Sequence, residues 1–564
     1  MNSLYNIIIY LGITALMVFT PLARGATTTR LWAITIVMLL MNTIVFAGIM
    51  KKIGSLRGGK DGSTRFLASL GMTEGARLSS RATEGKERLG REGSGGETST
   101  GFLASLGMTK VALGMTKGAL ATAVGGFIII AVISFVFSIY KYDSFYALLR
   151  FLGYIGLFYT IVSNYSRQIM RYLIGLAICL GTGLAVYGLF QYFGILPHEW
   201  WRPKDFLAGS YVNHNHFAGY MEMVIPVTIG VIVGSIRFLA SLGMTEGREG
   251  PGGNSCGQST RFLASLGMTE GALGMTEGAR LSSRAAEGGA RVGREGSGRE
   301  INTGFFAAHS AFLVIASVLL LITGLIIMIA AVIFAQSRGA WISLGISLLV
   351  MNIILIRRKF LKIYSLIILI ALAVGVFGYF YHSKGLVSKR IETMLDIEQG
   401  EASMESRFSI WRGTINMIRD YPWAGVGIGC FEWGFPKYRP QSMGRWGIRP
   451  RYAHNDYLHM AGEIGILGMI FMIWVLYLVI GRALSYKNSC SDNCGQHITN
   501  SVILGCGIGM LSLAIHGMVD FNFHIPANMV LFIILAGIAE GERRYCGEAR
   551  RVLDSSSRLR RSSE

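Results

Sequence analysis

Apolar stretches of about 20 residues recur along the chain, and runs of that length belong to helices that cross a bilayer. They fall at 3–21, 31–50, 119–139, 146–163, 171–193, 216–236, 311–335, 340–356, 362–381, 455–481, 499–519 and 526–541. Only 15% of the 564 residues are charged while 51% are hydrophobic, which excludes a soluble enzyme of this size. The expected fold is an all-α polytopic membrane protein with about 12 transmembrane helices.

A net charge of +20 would suit a nucleic-acid partner, but topology accounts for it better. Arg357, Arg358, Lys359 and Lys362 share one loop, Arg482 and Lys487 another, and the tail from Arg543 to Arg561 is strongly basic. An even number of spans puts all three on the cytoplasmic side, with both termini, as the positive-inside rule requires. No nucleic acid is expected; the partners in the surroundings are membrane lipids. No Lys or Arg precedes the first apolar run, and no small-x-small cleavage site follows it, so it reads as a retained span. The seven cysteines make no disulfide framework. Cys430 alone is expected outside the spans on the outer face, and Cys490 and Cys494, with His497 near, are too few ligands for zinc.

Two stretches interrupt the pattern. Phe-Leu-Ala-Ser-Leu-Gly-Met-Thr occurs at 66–73, 102–109, 238–245 and 262–269, and Gly-Ala-Arg-Leu-Ser-Ser-Arg-Ala at 75–82 and 278–285. The copies are irregularly spaced and rich in Gly, Ser, Thr, Arg and Glu, unlike the regular array of a solenoid. They read as cytoplasmic low-complexity inserts of duplicated origin. The expected layout is two helices in 1–54, an insert at 55–118, helices 3–6 in 119–236 and an insert at 237–303. Helices 7–9 then fill 304–381, a periplasmic loop with an amphipathic helix 382–453, helices 10–12 454–541, and a basic cytoplasmic tail 542–564.

The distinctive polar clusters converge on the outer side, which points to an active site or gate there. Asn213-His-Asn-His216 precedes the sixth span; two histidines at i, i+2 face opposite ways on a strand, so sugar or phosphate hydrogen bonding is expected rather than a metal. Arg338 sits in a tight turn between two spans, on the side where the positive-inside rule disfavours arginine, and a guanidinium matches phosphate bidentately. In the long loop, Phe408, Trp411, Ile415 and Ile418 make an apolar stripe at helical spacing, flanked by Arg412 and Arg419 on one edge and Arg407 on the other. That is the pattern of a helix lying in the membrane surface with cationic edges.

The segment Arg451-Tyr-Ala-His-Asn-Asp-Tyr457 lies where this loop meets an apolar run. His454 is the candidate general base: neutral imidazole takes a proton near pH 7, and a helix N-terminus disfavours the imidazolium. Asn455 and Asp456 are candidate caps. Glu463 is an acid inside an apolar run and is expected to face protein or water. Gly462, Gly465 and Gly468 are expected to permit close helix packing, and Tyr457 and His459 to be interfacial or packing residues. Asp520, Asn522 and His524 add polar groups to another outer loop, and Pro526 is placed as the first residue of the last helix.

His454-Asn455, nine residues, Gly465, two residues, Gly468 resembles the signature H-[NSQ]-x9-G-x-x-G of the bacterial O-antigen ligase family, which shares a domain with O-antigen polymerases. Gln336-Ser-Arg-Gly-Ala-Trp-Ile-Ser-Leu344 resembles the family's arginine segment, often R-x3-L, with Ile342 in place of the leucine. Asn213-His-Asn-His-Phe-Ala-Gly219 and Asp520-Phe-Asn-Phe-His-Ile-Pro526 also look like family segments. The resemblance implies a glycosyltransferase of GT-C-like architecture in the bacterial inner membrane, with its active site facing the periplasm. It implies an undecaprenyl-pyrophosphate-linked glycan as donor and, as acceptor, lipid A-core or another glycan or protein. The reaction implied is inverting and metal-independent, with no cofactor. His454 would then be catalytic, and Arg338, Arg407, Arg412 and Arg451 would bind pyrophosphate. Asn213, His216, Asn455, Asp456, Glu463 and Asp520 would support or bind substrate. Polymerase and protein-glycosylating activities share these features; a transporter of lipid-linked sugars would need polar groups at the bilayer midplane.

Overall fold

In the computed structural model, the residues described are 2–23, 40–41, 43–46, 48, 118–196, 206–243, 298–382, 397–440, 450–487 and 495–563. Nearly all of both inserts lies outside them, as do Cys490 and Cys494. The described residues form helices and turns and contain no strand. The long helices are α1 (Asn2–Leu22), α2 (Ala119–Val136), α3 (Lys141–Ser163), α4 (Arg167–Tyr192), α5 (His214–Gly243) and α6 (Gly298–Ala335). They continue with α7 (Arg338–Arg357), α8 (Tyr364–His382), α9 (Ile397–Asp420), α10 (Asp456–Ser485), α11 (Gly495–His516) and α12 (Pro526–Ser563). Among the described residues, nine helices are long and apolar enough to cross a membrane: α1 to α7, α10 and α11. The apolar part of α8 is shorter, Tyr364–Val376, and α12 couples a buried apolar start to the basic tail.

Helix is what such sequences must form, because every backbone N–H and C=O in hydrocarbon needs an internal partner. The hydroxyls follow suit: Thr14, Thr20, Thr160, Thr228, Ser317 and Thr323 each donate to the carbonyl four residues back on their own helix. Ser166 and Ser337 cap α4 and α7 by accepting from Ile169 N and Ala340 N.

The chain divides into two compact units. The first comprises Met1–Asn164, Ile391–Gly481 and Ala514–Gly537. Here Phe127 of α2 packs on Phe151 of α3, with ring centroids 4.6 Å apart. Gly126 lets the Phe471 ring of α10 approach to within 2.2 Å of where a Cβ would stand. Outside these helices, Ile410, Met417, Val426, Cys430, Phe431, Phe435 and Ala453 form a separate small core. The second unit comprises Tyr165–Arg390, Arg482–Leu513 and Ile538–Glu564. In it Gly505 and Gly509 of α11 lie against the carbonyls of Pro226 and Met223 of α5, a close seam that larger residues would block. The base of α12 is tied by Glu542, which accepts from Tyr165, Arg167 and Tyr486 at 2.7, 2.9 and 3.1 Å.

Two expectations are corrected. Gly465 does not pack helix on helix: α10 breaks there, with φ 78° and ψ 173°, and the close neighbour it admits is the backbone of Pro422 and Trp423. The groups freed by the break find partners in the segment 422–427. Ile466 N donates to Pro422 O at 2.9 Å, Val426 N to Gly462 O at 3.0 Å, and Gly427 N and Ser134 Oγ to Glu463 O at 3.0 and 2.9 Å. Arg338 is the first residue of α7, not part of a turn; the turn's strain falls on Gln336, at φ 55°. The stripe of α9 stays largely open, as a helix lying in a membrane surface requires, although its Trp411 donates to Ala453 O at 2.9 Å. The buried face of α9 is Ile410, Gly413, Thr414 and Met417, while Phe408 and Ile415 stay exposed.

Candidate active site

Residues 452–463 and 520–524 of the first unit fold together around six acid and imidazole side chains. Chain entry into α10 is fixed by Asn455, whose Oδ1 accepts from Tyr457 N and Leu458 N at 3.0 Å each. Asp456, the other candidate cap, turns instead to the loop before α12. Its Oδ1 pairs with His524 Nδ1 at 2.7 Å, and its Oδ2 accepts from Phe523 N at 3.1 Å.

His454 precedes the helix with φ 50°, a left-handed conformation that costs a non-glycine residue about 1 kcal/mol or more. Its surroundings hold it there. Ala453 O accepts from Trp411 Nε1 at 2.9 Å, Ala453 N donates to His459 Nδ1 at 3.2 Å, and Asp456 N donates to Gly517 O at 2.7 Å. Tyr452 stacks on Phe521 with centroids 4.1 Å apart, and Phe521 meets the edge of the His454 ring at 4.9 Å.

The His454 side chain is about one-third exposed. Its Nδ1 lies 3.6 Å from Oδ1 of the buried Asp520, and Arg407 lies 3.9 Å from Oδ2 of the same carboxylate. These separations are longer than hydrogen bonds, as unliganded acid–base pairs often are. Asp520 thus joins the candidate base to one candidate pyrophosphate ligand. Arg451 is engaged by Glu432 at 3.1 Å, and Arg412 lies on the exposed side of α9.

Beneath these lies a pair that the sequence reading did not join. His459, expected as an interfacial or packing residue, is fully buried; its Nε2 is 3.1 Å from Glu463 Oε1, and its ring stacks on Phe431 at 4.5 Å. Glu463 faces protein, as expected, and Oε1 also accepts from Phe431 N at 3.1 Å. The i, i+4 spacing of His459 and Glu463 was legible, but the approach of His524, 4.1 Å from the His459 ring, was not.

One donor atom each from His459, Glu463 and His524 come within 4.8 Å of one another, close enough for a metal. The tautomer opposes it. With Nδ1 accepting the Ala453 amide, the Nε2 of neutral His459 carries the proton and donates to Glu463, leaving no lone pair for a cation. A cavity of about 470 Å³ opens beside this pair, lined at its polar end by Asp143, Glu432, Arg451, Tyr452 and His524.

Cys430, in the small core, has its Sγ 3.2 Å from Ser138 and from Ser144 of α3, and burial pushes its thiol up. At the end of α9, Asp420 accepts from Tyr438 at 2.6 Å and from Lys437 at 3.3 Å, and these bonds hold its carboxyl below the usual range.

The remaining candidates belong to the second unit. Asn213 Oδ1 accepts from Asn215 N at 2.8 Å at the start of α5, His216 is buried, and Arg338 starts α7.

Residues 323–473 match the family model Wzy_C, described as O-Antigen ligase. This segment is an O-antigen ligase domain. It contains Arg338, Arg407, Arg412, Arg451, His454, Asn455, Asp456 and Glu463, and stops short of Asn213, His216 and Asp520. No curated protein matches the chain. The matched domain together with the apolar helices points to a membrane protein with activity of the O-antigen ligase or polymerase type.

Proposed function

We propose that the protein transfers a glycan from undecaprenyl pyrophosphate to a hydroxyl of lipid A-core at the periplasmic face of the inner membrane. The observation that carries this reading is His454, fixed in a left-handed backbone beside the buried Asp520 within an O-antigen ligase domain. The acceptor oxygen attacks the anomeric carbon, the bond from that carbon to the pyrophosphate oxygen breaks, and configuration inverts. The acceptor proton passes to His454, and Asp520 orients the ring and offsets the imidazolium charge. The charge that develops on the departing pyrophosphate needs cations. Arg407 stands 3.9 Å from Asp520, and Arg338, Arg412 and Arg451 are assigned by the family resemblance. Asn455 and Asp456 shape the entry to the helix; Asn213, His216 and Glu463 are proposed as support for substrate or site.

The test is transfer by purified protein supplied with an undecaprenyl-pyrophosphate glycan, with and without lipid A-core, in chelator. Product that requires lipid A-core supports the ligase. A ladder of chain lengths from donor alone makes the enzyme a polymerase, and labelled glycan on protein makes it a protein glycosyltransferase. Absence of product in all three sinks the reading.

A further inference from the structure

His454 cannot hold its left-handed backbone through its own side chain, whose Nδ1 stands 3.6 Å from Asp520. The conformation is held through the peptides on either side, by the Asp456 amide after it and by Ala453 before it. Both polar groups of Ala453 are captured by side chains from different elements: the carbonyl by Trp411 of α9 and the amide by His459 of α10. Ala453 itself is fully buried, so water cannot replace either bond. His459 is in turn fixed at its far end by Glu463, and Glu463 is fixed by the Phe431 amide.

From this geometry we propose that His459 is a positioning residue for His454. Its Nδ1 holds the Ala453 amide, and its Nε2–H, anchored on Glu463, keeps the imidazole in the tautomer that can accept that bond. No proton is moved by His459. The ring acts as a rigid spacer with an acceptor at one end and a donor at the other. Its consequence for turnover rests on the proposed function, because it presumes that His454 meets the acceptor; the clamp itself does not.

The experiment uses the full chain purified in detergent, as wild type, His459→Leu, His459→Gln and Trp411→Phe. Two quantities are read: amide hydrogen exchange over residues 451–457, and kcat and KM for the lipid-linked glycan. Glutamine carries an acceptor and a donor on one amide but cannot relay a proton; leucine carries neither. His459→Leu is expected to lose protection at Ala453 and to lower kcat about 100-fold with KM within about twofold, as a misplaced catalytic group does. His459→Gln is expected to restore the protection and most of kcat. Trp411→Phe, which frees only the carbonyl, is expected to shift kcat in the same direction by about tenfold, and it keeps the test open should the leucine variant not fold.

Unchanged protection at Ala453 in His459→Leu overturns the clamp. A glutamine variant that is protected yet as slow as the leucine variant overturns positioning and makes His459 a proton carrier. If wild-type protein transfers no glycan at all, the proposed function fails, while the exchange measurement still decides the clamp.

Discussion

At the residue scale, the chemistry falls to few groups. His454→Ala is expected to lower kcat by about 10²–10⁴-fold, the usual share of a general base. Asp520→Asn keeps the shape of the site but removes the charge facing His454 Nδ1, and a loss of about 100-fold is expected in the same transfer assay. If the asparagine variant were as fast as wild type, Asp520 would have no part in orienting the ring. A milder effect is expected at the end of α9, where Asp420 has its folded value depressed by Tyr438 and Lys437. A depressed carboxyl contributes stability above its unfolded value of about 4, and that contribution disappears as pH falls through the lower folded value. Loosening of the two short helices Phe431–Gly434 and Phe435–Tyr438, read by hydrogen exchange, should therefore begin below about pH 4, and Asp420→Asn should abolish this pH dependence.

At the element scale, the helices follow from apolar runs, and most were legible: 119–136 against an expected 119–139, and 338–357 against 340–356. Capping by Asn455 was legible too, because a short side-chain acceptor stands just before the helix. The break in α10 was not. A glycine within an apolar run reads equally as a packing contact or a kink, and only the segment 422–427, distant in sequence, decides between them. Gly465→Ala places a Cβ 2.3 Å from Trp423 O at a positive φ, so a loss of at least about 2 kcal/mol is expected. A lowered melting temperature in detergent would show it; an unchanged one would mean that the break can close. On α9 the open stripe with Phe408 and Ile415 was legible, whereas the burial of Ile410 and Met417 against Phe431, Phe435 and Ala453 was not.

At the scale of the whole molecule, the chain passes more than once between its two units. A topology of that kind depends on pairings between distant segments, which a single sequence does not reveal. His454 and Arg407 come from one such segment and Asp520 from another, so the residue types were legible but their meeting was not. The duplicated inserts contribute none of the candidate residues. Removing residues 60–110 and 250–295 is therefore expected to leave kcat within about twofold, measured in the same reconstituted assay; a larger loss would give the repeats a role in the enzyme.

The break at Gly465 also acts as a ruler. The part of α10 beyond it, about 20 residues at about 1.5 Å each, measures about 30 Å, the thickness of the hydrocarbon layer. The stretch from Asp456 to Ile464 is thereby relieved of any duty to span. A run that hydropathy counts as a single transmembrane segment is in effect a membrane rod joined to a separate bracket, and the His459–Glu463 pair belongs to the bracket.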